Sequence, residues 1–86
     1  MKIAIIGCGN MGKAIICGLI RGTVFKSSDI TAIDVHKEPL EAIKTLAPEI
    51  NTELRNYDSL PKMDIIVLAV KPWLIQCTIE NIKFKF

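Results

Sequence analysis

The sequence of 86 residues has little of what metal-binding, disulfide-bonded or nucleic-acid-binding proteins require. It contains one histidine and only three cysteines, which are scattered without CxxC spacing, at Cys8, Cys17 and Cys77. This pattern excludes a standard zinc site, argues against a disulfide framework and points to a reducing cytoplasm. The formal net charge is only +2, and the aromatic residues (one Trp, one Tyr, three Phe) do not alternate with a basic patch. We therefore expect no metal and no nucleic-acid partner.

Long apolar runs are also missing. The apolar segment before Cys8 covers only Ile3–Ile6, whereas the core of a signal peptide takes about 7–15 residues. The other apolar run, residues 65–70, is far shorter than the roughly 20 residues needed to cross a bilayer. We therefore expect no export signal and no membrane segment. Half of the residues are hydrophobic, which is enough to form the core of one domain.

What the sequence does contain is a regular alternation of strand and helix patterns. Apolar runs predict strands at residues 3–6, 29–34, 50–54 and 64–70. Helices are predicted at residues 10–21, 38–47 and 73–80, with a turn or single helical turn at 56–60 ended by Pro61. Residues 81–86 are expected to form a fifth strand or a frayed tail. This alternation predicts an α/β fold over residues 1–86: a partial Rossmann fold with a parallel sheet of four or five strands in the order 3-2-1-4 and flanking helices.

The first predicted helix is apolar around most of its circumference. Asn10 is expected to cap its beginning and Gly22 to end it. Helical spacing predicts one face against the sheet, formed by Met11, Ala14, Ile15, Gly18 and Leu19. Outside that face lie Ile16, Cys17 and Ile20. Because these side chains and the sheet edge at residues 65–70 would be exposed, we expect the chain to self-associate.

Three glycines directly behind the first strand form a GxGxxG motif, Gly7-Cys8-Gly9-Asn10-Met11-Gly12, the fingerprint of a dinucleotide-binding βαβ unit. The first glycine turns the chain, the second lets a pyrophosphate approach the backbone, and the third lets helix and strand pack closely. The helix that follows directs its free N–H groups and positive dipole end at the anion. The alternative is a glycine-rich turn in an unrelated α/β domain.

Cys8 lies within this motif, near the beginning of the helix. Thiolates are stabilised at helix N-termini, so a redox role is one hypothesis for it. The other is that a small residue simply fills the turn.

Asp34 ends the second strand at the distance after Gly12 where the fingerprint places an acid. Such a carboxylate accepts hydrogen bonds from the adenosine ribose hydroxyls and favours NAD; the alternative is an ordinary strand-end acid. The basic pair His36 and Lys37 follows at once and could hold a 2′-phosphate. The cofactor is therefore predicted to be NADP or NAD, with the choice open.

Two further candidates lie where later strands end. Asn56 follows the third strand, and Ala69-Val70-Lys71-Pro72 follows the fourth, at the sheet edge where open α/β sheets bind ligands. With the glycine motif, they resemble the N-terminal NAD(P)-binding portion of the pyrroline-5-carboxylate reductase family. The resemblance is carried by Gly7-Cys8-Gly9-Asn10-Met11-Gly12-Lys13-Ala14-Ile15-Ile16, Asn56 and Leu68-Ala69-Val70-Lys71-Pro72.

The resemblance implies hydride transfer from NAD(P)H to a cyclic imine, the reaction that makes proline. It implies that the pyrophosphate is held by Ile6, Gly7, Cys8, Gly9, Asn10 and Met11. It further implies that Asn56 contacts the adenosine half and that Ala69, Val70, Lys71 and Pro72 line the path to the nicotinamide. Many members carry a basic or small polar residue after the ribose-binding acid, where this sequence has Val35.

The family also has a second, helical domain that forms the dimer and the imine pocket, and nothing in these 86 residues corresponds to it. We therefore expect a truncated NAD(P)-binding domain that is inactive alone, and we nominate no catalytic residue. The alternatives are a stand-alone dinucleotide-binding module, a decayed gene remnant without catalysis, and an oxidoreductase resembling the β-hydroxyacid dehydrogenases.

Overall fold

The computed structural model describes residues 1–83 and contains a parallel β-sheet flanked by helices. The strands are β1 (Ile3–Ile6), β2 (Ile30–Asp34), β3 (Asn51–Leu54) and β4 (Ile65–Leu68). Within the described residues their order is β3-β2-β1-β4, and every neighbouring pair is parallel. The predicted α/β class and strand order are confirmed.

The helices are α1 (Asn10–Arg21), α2 (Lys37–Leu46) and α3 (Ile75–Ile82). Short 3₁₀ turns occur at Ser27–Asp29, Leu60–Lys62 and Pro72–Leu74. The predicted boundaries agree within a few residues, with two differences. Pro61 lies inside a 3₁₀ turn instead of ending one, because its fixed φ suits a first turn. A fifth strand or a frayed tail was predicted for residues 81–86, but residues 81 and 82 form the end of α3. Residues 84–86 of this prediction lie outside the described residues.

β1 lies at the centre of the core, and all four of its side chains are buried. Because side chains alternate along a strand, Ile3 and Ile5 belong to one apolar cluster and Ala4 and Ile6 to the other. The first cluster includes residues of α1 and α2; the second includes Ile82 of α3. Coverage of both faces explains why the strand is uninterruptedly apolar.

The predicted inward face of α1 is right for Ile15 and Leu19, which pack against the core, and wrong for its other members. Ile16, predicted to lie outside it, is fully buried, whereas Met11 is 65% exposed. Ala14 and Gly18 are exposed as well. The cause is Gly12, whose backbone packs so closely on Gly7 that an added Cβ would collide with the Gly7 carbonyl oxygen. That contact turns the row containing Gly12 and Ile16 toward the sheet.

The ends of α1 agree only in part with the prediction. Gly22 is the C-terminal cap, and its N–H donates to the Leu19 carbonyl oxygen at 3.2 Å, as expected for the end of a helix. At the other end Gly9 occupies the N-cap position without a side-chain hydrogen bond. Asn10 is already helical, so its predicted capping role is wrong.

The Gly12 contact predicts that Gly12→Ala destabilises the fold while Gly18→Ala does not. The alanine methyl at position 12 would displace the Gly7 backbone, and overpacking of this kind lowers the free energy of unfolding by about 1–3 kcal/mol. At position 18 a Cβ meets nothing within 4 Å. Gly18→Ala should therefore raise the free energy of unfolding by about 0.5–1 kcal/mol, as glycine-to-alanine substitutions do in an ordinary helix interior. Urea unfolding of both variants measures the difference, and equal stability would contradict this packing.

Self-association stays a prediction, but its surface changes. Ile16 is buried and Ile20 packs against the core. Ile65, on the predicted sheet edge, is exposed as expected, and the exposed apolar side chains of the segment after β4 are Trp73, Leu74, Ile75 and Ile79. We expect the sedimentation coefficient to rise with protein concentration, and Ile79→Gln to reduce this more than Leu46→Gln, an exposed leucine at the end of α2. A monomer at every concentration would count against it.

Candidate dinucleotide site

The strands β1, β2 and β4 end beside one another, and a cavity of about 640 Å³ lies at that edge. The predicted site residues that line it are Ile6, Gly7, Gly9, Asn10, Met11, Asp34, Ala69, Val70, Lys71 and Pro72. They come from three separate parts of the chain, which the parallel topology brings together. The cavity therefore occupies the crevice where open α/β sheets bind ligands.

Three predicted residues do not line the cavity. Gly12 packs behind it against Gly7, and Cys8 is buried. Asn56 is exposed, and its Oδ1 accepts the backbone N–H of Asp58 at 2.9 Å, which forms a local turn. The contact of Asn56 with an adenosine group stays a prediction.

The three glycines of the motif have different environments. Gly7 has φ +96°, and a Cβ on it would lie 2.9 Å from the backbone of Ala69. Gly12 is held by the close contact with Gly7 described above. A Cβ on Gly9, by contrast, meets nothing within 4 Å. Gly7 and Gly12 thus serve packing, whereas Gly9 leaves open space in the cavity wall.

That open space adjoins the beginning of α1. No side chain caps the helix, and its N–H···O bonding begins with Lys13, whose N–H donates to the Gly9 carbonyl oxygen at 2.9 Å. The N–H groups of the preceding first turn are therefore available to a ligand, together with the positive end of the helix dipole. Gly9, Asn10 and Met11 all line the cavity. This arrangement fits the pyrophosphate of a dinucleotide.

Asp34 has a structural role that sequence reasoning missed. Its Oδ2 accepts the Cys8 backbone N–H at 2.7 Å, and its Oδ1 accepts the His36 backbone N–H at 2.9 Å. Oδ1 also lies 3.3 Å from Nδ1 of His36, and the Asp34 side chain is only 10% exposed. The carboxylate therefore ties the glycine loop to the end of β2. Its contact with ribose hydroxyls stays a prediction.

The environment of Cys8 contradicts the redox hypothesis. Burial and, to a smaller extent, the negative charge of Asp34 raise the pKa of its thiol to about 12, while a hydrogen bond to the Ile33 backbone acts in the opposite direction. The sulfur lies 3.6 Å from the Ile33 carbonyl oxygen, in reach of an S–H donor. The thiol therefore stays protonated at neutral pH, and the residue serves as buried filling of the turn.

Val35 and His36, which the sequence analysis placed in the ribose loop, also line the cavity. The rest of the wall consists of residues that the sequence analysis did not select: Tyr57, Trp73, Leu74, Cys77, Thr78 and Asn81. Most belong to the 3₁₀ turn and helix after β4, and the available signal was that Trp73 directly follows the Lys71-Pro72 pair. Nζ of Lys71 lies 5.7 Å from the centroid of the Trp73 ring, a cation–π distance.

Tyr57 adds a polar group to this mainly apolar wall. Burial raises the pKa of its hydroxyl, and the charges of Asp34 and Cys77 act in the same direction. The hydroxyl therefore remains a hydrogen-bond donor at neutral pH. Within residues 1–83 no group of histidine, cysteine and acidic side chains is arranged to hold a metal ion, and no helix has the length and apolarity to cross a membrane.

Comparison with known proteins agrees with this geometry. The family model described as "NADP oxidoreductase coenzyme F420-dependent" matches residues 2–85. Pyrroline-5-carboxylate reductase 1 of Dictyostelium discoideum is 30% identical over 81 residues, which are 94% of this chain and 14% of that protein. The pyrroline-5-carboxylate reductase of Methanosarcina acetivorans is 32% identical over 83 residues, 95% of this chain and 30% of that protein. The Staphylococcus haemolyticus reductase is 34% identical over 86 residues, 96% of this chain and 31% of that protein.

The chain thus spans less than a third of the length of each of these curated relatives. The matches confirm the resemblance seen in the glycine motif and in residues 68–72, and they imply a nicotinamide dinucleotide cofactor. With the parallel sheet and the glycine-rich loop in place, the chain belongs to the family of NADP oxidoreductases described as coenzyme F420-dependent, as the NAD(P)-binding domain of pyrroline-5-carboxylate reductase-like proteins.

Proposed function

We propose that this chain holds NADPH or NADH for a pyrroline-5-carboxylate reductase that makes proline in the cytoplasm. The observation that carries the proposal is the open space at Gly9, directly beside the uncapped first turn of α1. A bound dinucleotide supplies the hydride that reduces the cyclic imine. The chain's own part is to bind the dinucleotide and orient it.

Different segments of the cavity wall are suited to different parts of the dinucleotide. Gly9, Asn10 and Met11 hold the pyrophosphate through backbone N–H groups. The adenosine half lies toward the end of β2, where Asp34 lines the cavity. The nicotinamide half lies toward the end of β4, where Lys71 and the exposed Trp73 ring shape the opening.

Binding is tested with Gly9→Val, because a side chain at position 9 fills the anion space without a clash in the protein. We expect saturable binding of NADH, NADPH and ADP-ribose to the native chain, and weaker binding of AMP, which lacks the pyrophosphate. Gly9→Val should weaken dinucleotide binding at least about tenfold, or 1.4 kcal/mol. Isothermal calorimetry measures the affinity, and quenching of Trp73, the one tryptophan in the sequence, gives a second readout.

The matched control is Gly18→Ala, which lies in the same helix but outside the cavity. It should bind as the native chain does, and both variants should keep the native circular dichroism spectrum. Absence of saturable binding up to millimolar dinucleotide, or binding that Gly9→Val leaves unchanged, would overturn the proposal.

The second test is catalytic. The resemblance implies that the imine pocket belongs to a domain beyond these residues, so we expect the 86-residue chain to bind dinucleotide yet show no imine-dependent oxidation of NADPH or NADH. Absorbance of the reduced nicotinamide, followed with and without the cyclic imine, measures this. Steady turnover by the chain alone would contradict the need for further residues. Reduction of NADP by a β-hydroxyacid in the same assay would favour the β-hydroxyacid dehydrogenase alternative.

A further inference from the structure

We infer that Arg55 makes this site prefer NADPH, by holding its guanidinium beside the end of β2 where the 2′-phosphate of the adenosine ribose would lie. This inference rests on the proposed function, since Arg55 bonds to the carbonyl oxygen of Val35, which lines the proposed cavity. It names a residue outside the glycine motif and outside the loop after Asp34.

Two hydrogen bonds fix Arg55 against the end of β2. Its backbone N–H donates to the Asp34 carbonyl oxygen at 2.9 Å, and its Nε–H donates to the Val35 carbonyl oxygen at 3.0 Å. Its φ of 55° lies in the left-handed region, which is uncommon for a residue with a Cβ. The turn after β3 therefore directs the arginine side chain along the loop that follows Asp34.

The guanidinium retains the capacity to bind a phosphate. Arginine has five N–H donors, of which the Val35 carbonyl oxygen takes one. Within residues 1–83 the structure pairs none of the four donors on the two Nη atoms, and the residue is exposed. A planar pair of N–H donors matches a phosphate in bidentate fashion.

The carboxylate that would favour NADH is engaged elsewhere. Selection for NADH requires an acid that accepts hydrogen bonds from the ribose hydroxyls. The two Asp34 oxygens already accept the backbone N–H groups of Cys8 and His36, and the side chain is 10% exposed. Two of its lone pairs are therefore committed to backbone N–H groups, which leaves fewer of them for the ribose hydroxyls.

Charged side chains of both signs lie near this end of β2. Lys37, Glu38 and Arg55 are exposed. A phosphate here would therefore meet the cations of Lys37 and Arg55 as well as the carboxylates of Asp34 and Glu38.

The test measures the affinities of the full 86-residue chain for NADPH and NADH by calorimetry. We expect the native chain to bind NADPH at least about tenfold more tightly than NADH. Arg55→Gln should weaken NADPH binding about tenfold while changing NADH binding less than about twofold. Arg55→Asn is the second charge-removing variant, because asparagine tolerates a positive φ. Arg21→Gln, an exposed arginine in the last turn of α1, is the matched control and should change neither affinity.

The outcomes separate this inference from the proposed function. If NADH and NADPH bind equally to the native chain, or if both Arg55 variants weaken the two ligands by the same factor, the inference is overturned and the proposed function stands. If neither dinucleotide binds to the native chain, the proposed function fails and the inference falls with it.

Discussion

The close contact between Gly12 and Gly7 is the constraint on which the site depends. It brings the first turn of α1 against the end of β1, at the middle of the sheet edge. Gly7 at the same time touches the backbone of Ala69 as the chain leaves β4. Only residues without a Cβ allow three backbone segments to meet this closely. The uncapped helix end and the cavity wall owe their positions to these contacts.

Asp34 shows how one residue can serve the fold and still line the site. Its carboxylate accepts hydrogen bonds from backbone N–H groups of the glycine loop and of the loop after β2. It therefore links two segments of the cavity wall. The same negative charge adds to the rise in the pKa of the Cys8 thiol. A cysteine in a helix-leading loop is thus kept inert by burial and by its acidic neighbour, despite the helix end nearby.

Sequence reasoning succeeded where a residue's role depends on local geometry and failed where it depends on distant partners. The strands, their order and the glycine loop follow from apolar runs and spacing within short segments. The face of α1 was predicted partly wrongly because apolar residues cover most of the circumference of the helix. Periodicity therefore could not show which of these residues face the sheet. Trp73 and Tyr57 were missed because each lines the cavity from another part of the chain, and no spacing rule connects it to the glycine motif.

The sequence alone therefore determined the α/β class, the parallel order of strands and the glycine-rich loop behind β1, because these depend on periodicity, glycine and strand–helix alternation. The tertiary structure decided that Ile16 and not Met11 faces the core, since only the Gly12–Gly7 contact sets the rotation of α1. It also decided that Asp34 bonds to Cys8 and that Arg55 lies along Val35. Those pairings join residues about 20 or more apart, and they exist only after parallel strands have aligned their carboxyl ends.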